Sequence, residues 1–174
     1  YEEVMNRFGK DNPDIRFGME LVDVTDLVAE SEFRVFSSVV EKGGDVRGIK
    51  APGLGGYSRN QIDEFTEFVK QYGAKGLAYI AITETGEERS TFLKFIDEDT
   101  KAALYQRMGA EDGDLLLFIA DQREIVLDCL GRLREELRDR MDLVDGETLA
   151  FCWVTDFPLF TWDEEEDRWD PSHH

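Results

Sequence analysis

Residues 112–121 read DGDLLLFIAD, which places five large apolar side chains in a row between acidic turn residues. A short apolar run bounded by turn signals is typical of a buried strand. Residues 115–119 are therefore predicted to form a strand inside a sheet, and the other elements are interpreted around it.

Two hairpins are predicted before this strand. Residues 33–40 are rich in Val and Phe, and the turn sequence EKGG separates them from a possible returning strand at residues 45–51. Residues 77–83 resemble a strand, TGE forms a turn, and residues 91–96 are the possible returning strand. The sequence thus predicts a sheet built from hairpins.

Helical periodicity identifies the other regular elements. Ser58 is a candidate N-cap for a helix that Gly73 closes, and Asp97 or Asp99 could cap a helix that runs to Met108. The longest predicted helix spans residues 122–141, with an apolar stripe made of Ile125, Val126, Cys129, Leu130, Leu133 and Leu137.

The ends of the chain carry weaker patterns. Residues 1–8 have helical apolar spacing closed by Gly9, and residues 149–154 resemble another buried strand. The element order favours an α+β fold in which helices pack on one face of the sheet, rather than a βαβ parallel fold. Residues 29–122 are predicted to be an inserted domain that folds by itself, and residues 1–28 and 123–174 to be pieces of a larger body.

Composition excludes several classes of protein. The 174 residues carry a formal net charge of −19, which disfavours contact with phosphate backbones except through a local basic face. No apolar run is long enough to span a bilayer, so a cytoplasmic protein is expected. Cys129 and Cys152 lie among apolar neighbours and are both predicted to be buried, reduced thiols, with no metal site.

Four blocks of the sequence resemble one known family. Residues 9–18 read GKDNPDIRFG, residues 20–27 read ELVDVTDL, residues 72–80 read YGAKGLAYI and residues 153–160 read WVTDFPLF. In this order they are similar to the bacterial-type aspartyl-tRNA synthetases. The family's first loop usually has Lys where this chain has Asn12.

The resemblance implies a division of the chain into three parts. Residues 29–122 resemble the GAD insertion domain, while residues 1–28 and 123–174 resemble segments of the class II catalytic domain, the second leading to the aspartate pocket. The implied parent enzyme activates L-aspartate with ATP and Mg²⁺, transfers it to tRNA and is a homodimer. Its ATP-binding motifs lie outside these residues, so the chain is expected to be an inactive fragment with no catalytic residue and no bound cofactor.

His173 and His174 are the candidate site residues. By position alone, two terminal histidines could also be the remnant of a purification tag. The acidic run and Trp169 before them match the family's approach to its active site, which implies that His173 contacts the bound aspartate; His174 is the weaker candidate. Arg16 and Asp156 are interpreted as structural residues.

Two other functions remain open from the sequence. GAD-like domains also resemble part of a tRNA-dependent amidotransferase subunit, so the chain could be a non-catalytic module that docks tRNA or protein. An acidic globular domain of another role is the third alternative. The synthetase-like block at residues 153–160, together with the two histidines, argues against both.

Overall fold

The protein forms a five-stranded antiparallel sheet, separate from a short hairpin near its C-terminal end, in a computed structural model that describes residues 1–163 and 166–172. The strands are β1 (Val22–Asp23), β2 (Asp45–Ala51), β3 (Ala78–Ile82), β4 (Glu88–Ser90), β5 (Leu115–Asp121), β6 (Phe160–Asp163) and β7 (Arg168–Pro171). The helices are α1 (Glu2–Phe8), α2 (Thr25–Val28), α3 (Arg34–Val40), α4 (Arg59–Lys70), α5 (Glu98–Met108) and α6 (Arg123–Arg140).

The predicted strand at residues 115–119 is confirmed as the centre of the sheet. The strand order is β1-β2-β5-β3-β4, so β5 has a partner on each side. Strand β2 pairs with β5 over its whole length, from Asp45 opposite Asp121 to Ala51 opposite Leu115. Because both edges of β5 are paired, its backbone can be buried without losing hydrogen bonds.

Side chains of β5 alternate between two separate cores. Leu115, Leu117 and Ile119 belong to a core that contains residues of α4 and α6. Leu116 and Phe118 belong to a core that contains residues of α2, α3 and α5. The sheet is therefore covered by helices on both faces.

This arrangement confirms the α+β class. The prediction that helices pack on one face of the sheet was wrong, because they pack on both faces. A strand that faces water on one side alternates apolar and polar residues, whereas β5 is apolar at almost every position. The apolar run is thus uninterrupted because helices exclude water from both faces of the strand.

The first predicted hairpin is wrong. Residues 33–40 contain helix α3 instead of a strand, and β2 pairs with β1 and β5. Val and Phe favour strands, yet burial decides here: the Phe36 ring is buried, and its centroid lies 4.9 Å from those of both Phe33 and Phe92. Tertiary packing has overridden local propensity.

The second predicted hairpin is correct in its first strand only. The partner of β3 is β4, and the segment that follows forms a single turn of 3-10 helix at Leu93–Phe95. The Ser90 hydroxyl oxygen accepts hydrogen bonds from the backbone N–H groups of Phe92 (3.0 Å) and Leu93 (3.2 Å). The Thr91 N–H still donates to the Tyr79 carbonyl oxygen at 3.2 Å, and this local cap turns the chain away from β3 directly after it.

The three long helices begin as the sequence predicts. Ser58 and Gln61 form a reciprocal capping box at α4, and the Asp97 carboxylate accepts from the N–H of Thr100 at α5. Helix α6 spans Arg123–Arg140. Cys129 is buried in it as predicted, whereas Cys152 is exposed, because residues 149–154 adopt no regular secondary structure and lie at the surface.

The division at residues 28 and 122 stays a prediction. Helix α6 lies beyond the second boundary, yet Val126, Leu130 and Leu133 complete the core under one face of the sheet. A segment that ended at residue 122 would expose that face to water. Within the described residues, no helix is long and apolar enough to cross a membrane.

The two-faced sheet predicts that neighbouring positions of β5 are equally sensitive to truncation. Leu116→Ala and Leu117→Ala should each lower the free energy of unfolding by about 2–5 kcal/mol, because each removes a fully buried side chain from a different core. Urea denaturation of each variant would measure the loss. Leu149→Ala, at an exposed position, is the control and should change stability by less than about 0.5 kcal/mol. A near-neutral Leu116→Ala would contradict a helical layer on that face.

Candidate functional site

Residues 9–21 connect α1 to β1 and lie against α6. The connection starts at Gly9, where φ is +72° and where a Cβ atom would lie 2.2 Å from the Leu127 carbonyl oxygen. Gly131 of α6 faces it, and a Cβ there would lie 3.0 Å from the carbonyl oxygens of Phe8 and Gly9. Two glycines thus allow α1 and α6 to meet backbone to backbone.

Arg134 of α6 holds the loop that follows. Its side chain is one of the largest buried groups in the protein, with 2% of the residue exposed. The guanidinium donates hydrogen bonds of 2.8–3.2 Å to four backbone carbonyl oxygens, those of Asp14, Phe17, Gly18 and Met19. One planar donor group therefore sets the path of six consecutive loop residues.

Aromatic rings complete the surroundings of this cation. The Arg134 guanidinium carbon lies 3.9 Å from the centroid of the Phe17 ring and 4.9 Å from that of Phe8. Burial lowers the pKa of Arg134, and the nearby Asp14 and Glu20 carboxylates partly oppose that effect. An arginine keeps its proton in proteins, so the group acts as a fixed positive charge rather than as an acid or base.

Asp14 is the second fixed point of the loop. Its carboxylate accepts from Arg16 at 2.8 Å and from Arg138 of α6 at 3.2 Å. The hydrogen bonds from Arg16 in particular hold the pKa of Asp14 well below its ordinary value, which keeps the carboxylate charged. Arg16 also donates to the Thr148 carbonyl oxygen at 3.3 Å, which joins the loop to the C-terminal segment.

A second contact brings residues 153–160 to the same place. The Tyr1 nitrogen donates to the Thr155 carbonyl oxygen at 2.6 Å, and the rings of Tyr1 and Phe157 lie 5.1 Å apart. The blocks at residues 9–18 and 153–160, far apart in sequence, are also neighbours in the fold, since Arg16 and Trp153 border one cavity. Between them lies a cavity of about 620 Å³, bordered among others by Arg7, Phe8, Arg16, Phe17, Cys152 and Trp153.

The charges around this cavity are already paired. Arg7 donates to Glu3 at 2.9 Å and to Glu20 at 2.6 Å, and Arg16 is held by Asp14. An anionic ligand would have to compete with these carboxylates for the guanidinium groups. In chemical terms the arrangement positions a loop, and the described residues that line the cavity present no unpaired Arg side chain to a ligand.

The C-terminal segment exposes an unusual amount of apolar surface. Trp153 is 95% exposed, and other large exposed side chains follow along the chain: Leu149, Phe151, Leu159, Phe160, Trp162 and Trp169. Exposed apolar surface on this scale marks an interaction site. Its exposed apolar side chains are typical of a surface that packs against another part of a protein.

His173 and His174, the predicted site residues, lie outside the described residues. Asp156 is exposed, has φ of +58° and accepts a hydrogen bond from the Thr155 hydroxyl at 2.9 Å. Among residues 1–163 and 166–172, no three His, Cys, Asp or Glu side chains are grouped as metal ligands would be.

Sequence reasoning missed Arg134. The available signal was its position, one residue after Leu133 and three before Leu137, next to the apolar stripe of a long helix. A charged residue beside such a stripe usually extends its end into water. Burial of the Arg134 side chain is favourable only because carbonyl groups of residues 14–19 lie beside its guanidinium.

Loss of the Arg134 guanidinium should release the loop. Arg134→Met leaves four carbonyl groups with no donor, so we expect a loss of about 3–5 kcal/mol in unfolding free energy and faster tryptic cleavage after Lys10 and Arg16. Limited proteolysis and urea denaturation measure the two effects. Arg132→Met is the matched control on the same helix, since within the described ranges Arg132 forms an exposed pair with Asp128 and contacts the Tyr72 ring. Equal behaviour of both variants would refute the role of Arg134.

Comparison with known proteins gives results that agree with this geometry. The GAD domain family matches residues 36–130. An aspartate–tRNA(Asp/Asn) ligase of Symbiobacterium thermophilum is 56% identical over all 174 residues. An aspartate–tRNA ligase of Ruminiclostridium cellulolyticum and an aspartate–tRNA(Asp/Asn) ligase of Geotalea uraniireducens are 49% and 50% identical over the same length.

In each case the alignment takes in the whole of this chain and 29% of the relative. The chain thus spans less than a third of the length of the ligases it matches. Its sheet, with helices α4 and α5 and the first turns of α6, lies largely within the matched residues 36–130. The chain belongs to the GAD domain family.

Proposed function

We propose that this chain is a segment of an aspartate–tRNA ligase, an enzyme that activates L-aspartate with ATP and transfers it to tRNA. The observation that carries the proposal is the extent of the similarity. The alignments, about half identical overall, take in all 174 residues, including residues 1–35 and 131–174, which lie outside the GAD match. A shared GAD domain alone would not account for the flanks.

The contacts between the flanks support the same proposal. Residues 14–19 are fixed by Arg134, Thr148 is joined to them through Arg16, and Thr155 is joined to Tyr1 at the other end of the first flank. These parts have no role within the sheet. Their packing against each other is expected if both flanks belong to one folded domain. The exposed apolar residues around Trp153 would then pack against the rest of that domain.

His173 is proposed as the contact to the bound aspartate, with His174 as the weaker candidate. The support is the likeness of the preceding residues to the family's approach to its active site. An imidazole can donate a hydrogen bond to a carboxylate, and it can respond to the charge of a bound amino acid near neutral pH.

The described residues do not fit a site for ATP and Mg²⁺. Arg7 and Arg16 are engaged by carboxylates, and in the described part of the chain no three His, Cys, Asp or Glu side chains are grouped as metal ligands would be. We propose that ATP and Mg²⁺ are held by parts of the ligase outside this chain. The contribution of this segment is to position a loop and to lead into the amino acid pocket.

The partners of the parent enzyme follow from the same proposal. It would act on tRNA and L-aspartate in the cytoplasm, as a homodimer. With a net charge of −19, this segment is a poor general surface for tRNA, so contact would need a local basic face. The amidotransferase-type docking module has less support, because the alignment with a ligase takes in the flanks as well as the GAD residues.

The isolated chain should not catalyse aspartate-dependent exchange of pyrophosphate into ATP. The reason is that the groups expected to hold ATP lie outside it, and adenylation depends on positioning and on stabilising phosphate charge. The assay needs protein purified from a host whose own ligase has been removed. Turnover above that of a buffer blank would contradict the proposal that the chain is an incomplete segment.

In the complete ligase, replacing His173 with Ala should weaken aspartate binding and leave ATP binding unchanged. The loss of one hydrogen bond to a charged ligand costs about 1.5–3 kcal/mol, equivalent to roughly 10- to 150-fold in affinity. If the bond is equally strong in the ground state and the transition state, KM for aspartate rises and kcat stays constant.

His174→Ala is the matched control for that experiment. A contact made by His173 alone predicts a much smaller effect of the second variant. Equal and small changes for aspartate and ATP in both variants would show that the pair does not bind substrate.

A further inference from the structure

A second cavity lies beside α3, at the end of the sheet where β3 begins and β5 ends. Its volume is about 550 Å³, within the usual range of roughly 300–1,000 Å³ for ligand sites. It shares no residue with the cavity near Arg16, so it is a separate candidate site. Its walls are mainly apolar and include Phe33, Val35, Phe36, Leu77 and Phe118.

The apolar wall is held in place by packed aromatic rings. The Phe33 and Phe36 centroids are 4.9 Å apart in an edge-to-face arrangement, and Phe92 packs on Phe36 at 4.9 Å and on Phe118 at 5.4 Å. Because these rings fill the space behind the wall, the wall needs no ligand to keep its shape. Val35, which is half exposed, extends it to the rim.

The sheet has a gap in its hydrogen bonding at this cavity. Strand β3 pairs with β5 only as far as Ala78, which lies opposite Phe118. Strand β2 pairs with β5 three residues further, as far as Asp121. Residues 119–121 of β5 therefore have a partner strand on one side only.

Ala120 directs its backbone groups into this gap. The residue opposite it on β2 is Val46, whose N–H donates to the Thr25 hydroxyl at 2.9 Å and whose carbonyl oxygen accepts from the Val24 N–H at 3.0 Å. Val46 thus faces away from β5. Because opposite residues of an antiparallel pair either exchange hydrogen bonds or both face away, Ala120 faces the end of β3. No hydrogen bond to the Ala120 backbone forms there within the described residues.

The space beside the Ala120 backbone is open. Gly76 would stand opposite Ala120 if β3 were longer, and both residues line the cavity. A Cβ atom on Gly76 would meet no atom within 4 Å apart from those of its chain neighbours. An unpaired N–H and C=O at a strand edge are a template for pairing with another chain. The gap can therefore accept a short extended segment.

An unpaired cation borders the same end of the cavity. Lys42 is exposed in the turn after α3, and this turn packs on the end of β5, since a Cβ atom on Gly44 would lie 2.6 Å from the Asp121 carbonyl oxygen. Lys75 also lines the cavity, but its ammonium donates to the Asp121 carboxylate at 2.9 Å. Lys42 forms no ion pair in the part of the chain that the structure describes. Its charge favours a carboxylate at this end.

We propose that this cavity binds the C-terminal residue of a polypeptide that ends in a large apolar side chain. The amide N–H of that residue would donate to the Ala120 carbonyl oxygen. Its carboxylate would accept from the Ala120 N–H and face the Lys42 ammonium. Its side chain would lie against the wall formed by Phe33 and Phe36.

These contacts combine two known modes of peptide recognition, addition of a strand to a sheet edge and capture of a terminal carboxylate. A free amino acid is a poorer ligand, because its ammonium group would lie beside Lys42 and Lys75. The proposal is independent of the ligase function.

A set of probes separates these contacts in calorimetric titrations of the chain. Acetyl-glycyl-L-phenylalanine carries all three features. Its C-terminal amide lacks the carboxylate, 3-phenylpropionate lacks the amide N–H, acetyl-glycyl-L-aspartate lacks the apolar side chain, and L-phenylalanine has an ammonium in place of the amide. We expect the first probe to bind saturably at millimolar concentration or below, and each of the others to bind at least several-fold more weakly. Absence of saturable binding of the first probe, or equal binding of any other, would overturn the proposal.

Variants then locate the site. Ala120→Pro removes the N–H that would donate to the carboxylate, and it should weaken binding of acetyl-glycyl-L-phenylalanine by about tenfold or more. Lys42→Met removes an exposed charge and should weaken binding by about two- to fivefold. Val35→Glu places a carboxylate on the apolar rim and should also weaken it. Its exposed position keeps the test valid if the Ala120→Pro variant fails to fold.

Lys70→Met is the matched control for the loss of a charge. Lys70 lies on α4, on the opposite face of the sheet, and pairs only with Glu67 among the described residues. The affinity of this variant for acetyl-glycyl-L-phenylalanine should equal that of the unmodified chain, and circular dichroism checks that every variant compared is folded. Unchanged binding in both Lys42→Met and Val35→Glu, or in a folded Ala120→Pro variant, would mean that the peptide binds elsewhere and would refute the site.

Discussion

The buried guanidinium of Arg134 is the interaction on which the joining of sheet and flanks depends. A charge removed from water is destabilising unless its hydrogen bonds are replaced, and here four carbonyl oxygens and two aromatic rings replace them. The loop at residues 14–19 consequently has one favourable path. Helix α6 gains two different faces, one apolar against the sheet and one polar against the loop.

The sequence allowed prediction of those elements whose signals are local. The capping residues Ser58 and Asp97 and the bounded apolar run of β5 each act within a few residues, and each prediction was confirmed. Helix α3 could not be predicted, because its Phe and Val residues favour a strand until Phe92 and Phe118 are placed beside them. Likewise, the apolar sequence of β5 alone did not reveal whether helices cover one face of the sheet or both.

Prediction of the candidate site met the same limit. The family blocks identified the loop and the C-terminal segment, but their proximity depends on contacts between residues more than a hundred positions apart, such as Arg16 with Thr148. Arg134 resembled any solvated arginine of an amphipathic helix. Its role became visible only when the four backbone carbonyl groups that accept its hydrogen bonds were placed around it.

Helix α6 also constrains how the GAD residues can move. The family match ends at residue 130, in the middle of a helix that continues without interruption to Arg140. Leu130 and Leu133 pack under the sheet, and Arg134 on the next turn holds the loop. A rotation of the sheet against the loop would have to bend this helix or break the hydrogen bonds of Arg134. Because both changes are costly, we expect the sheet and the loop at residues 14–19 to move as one rigid unit.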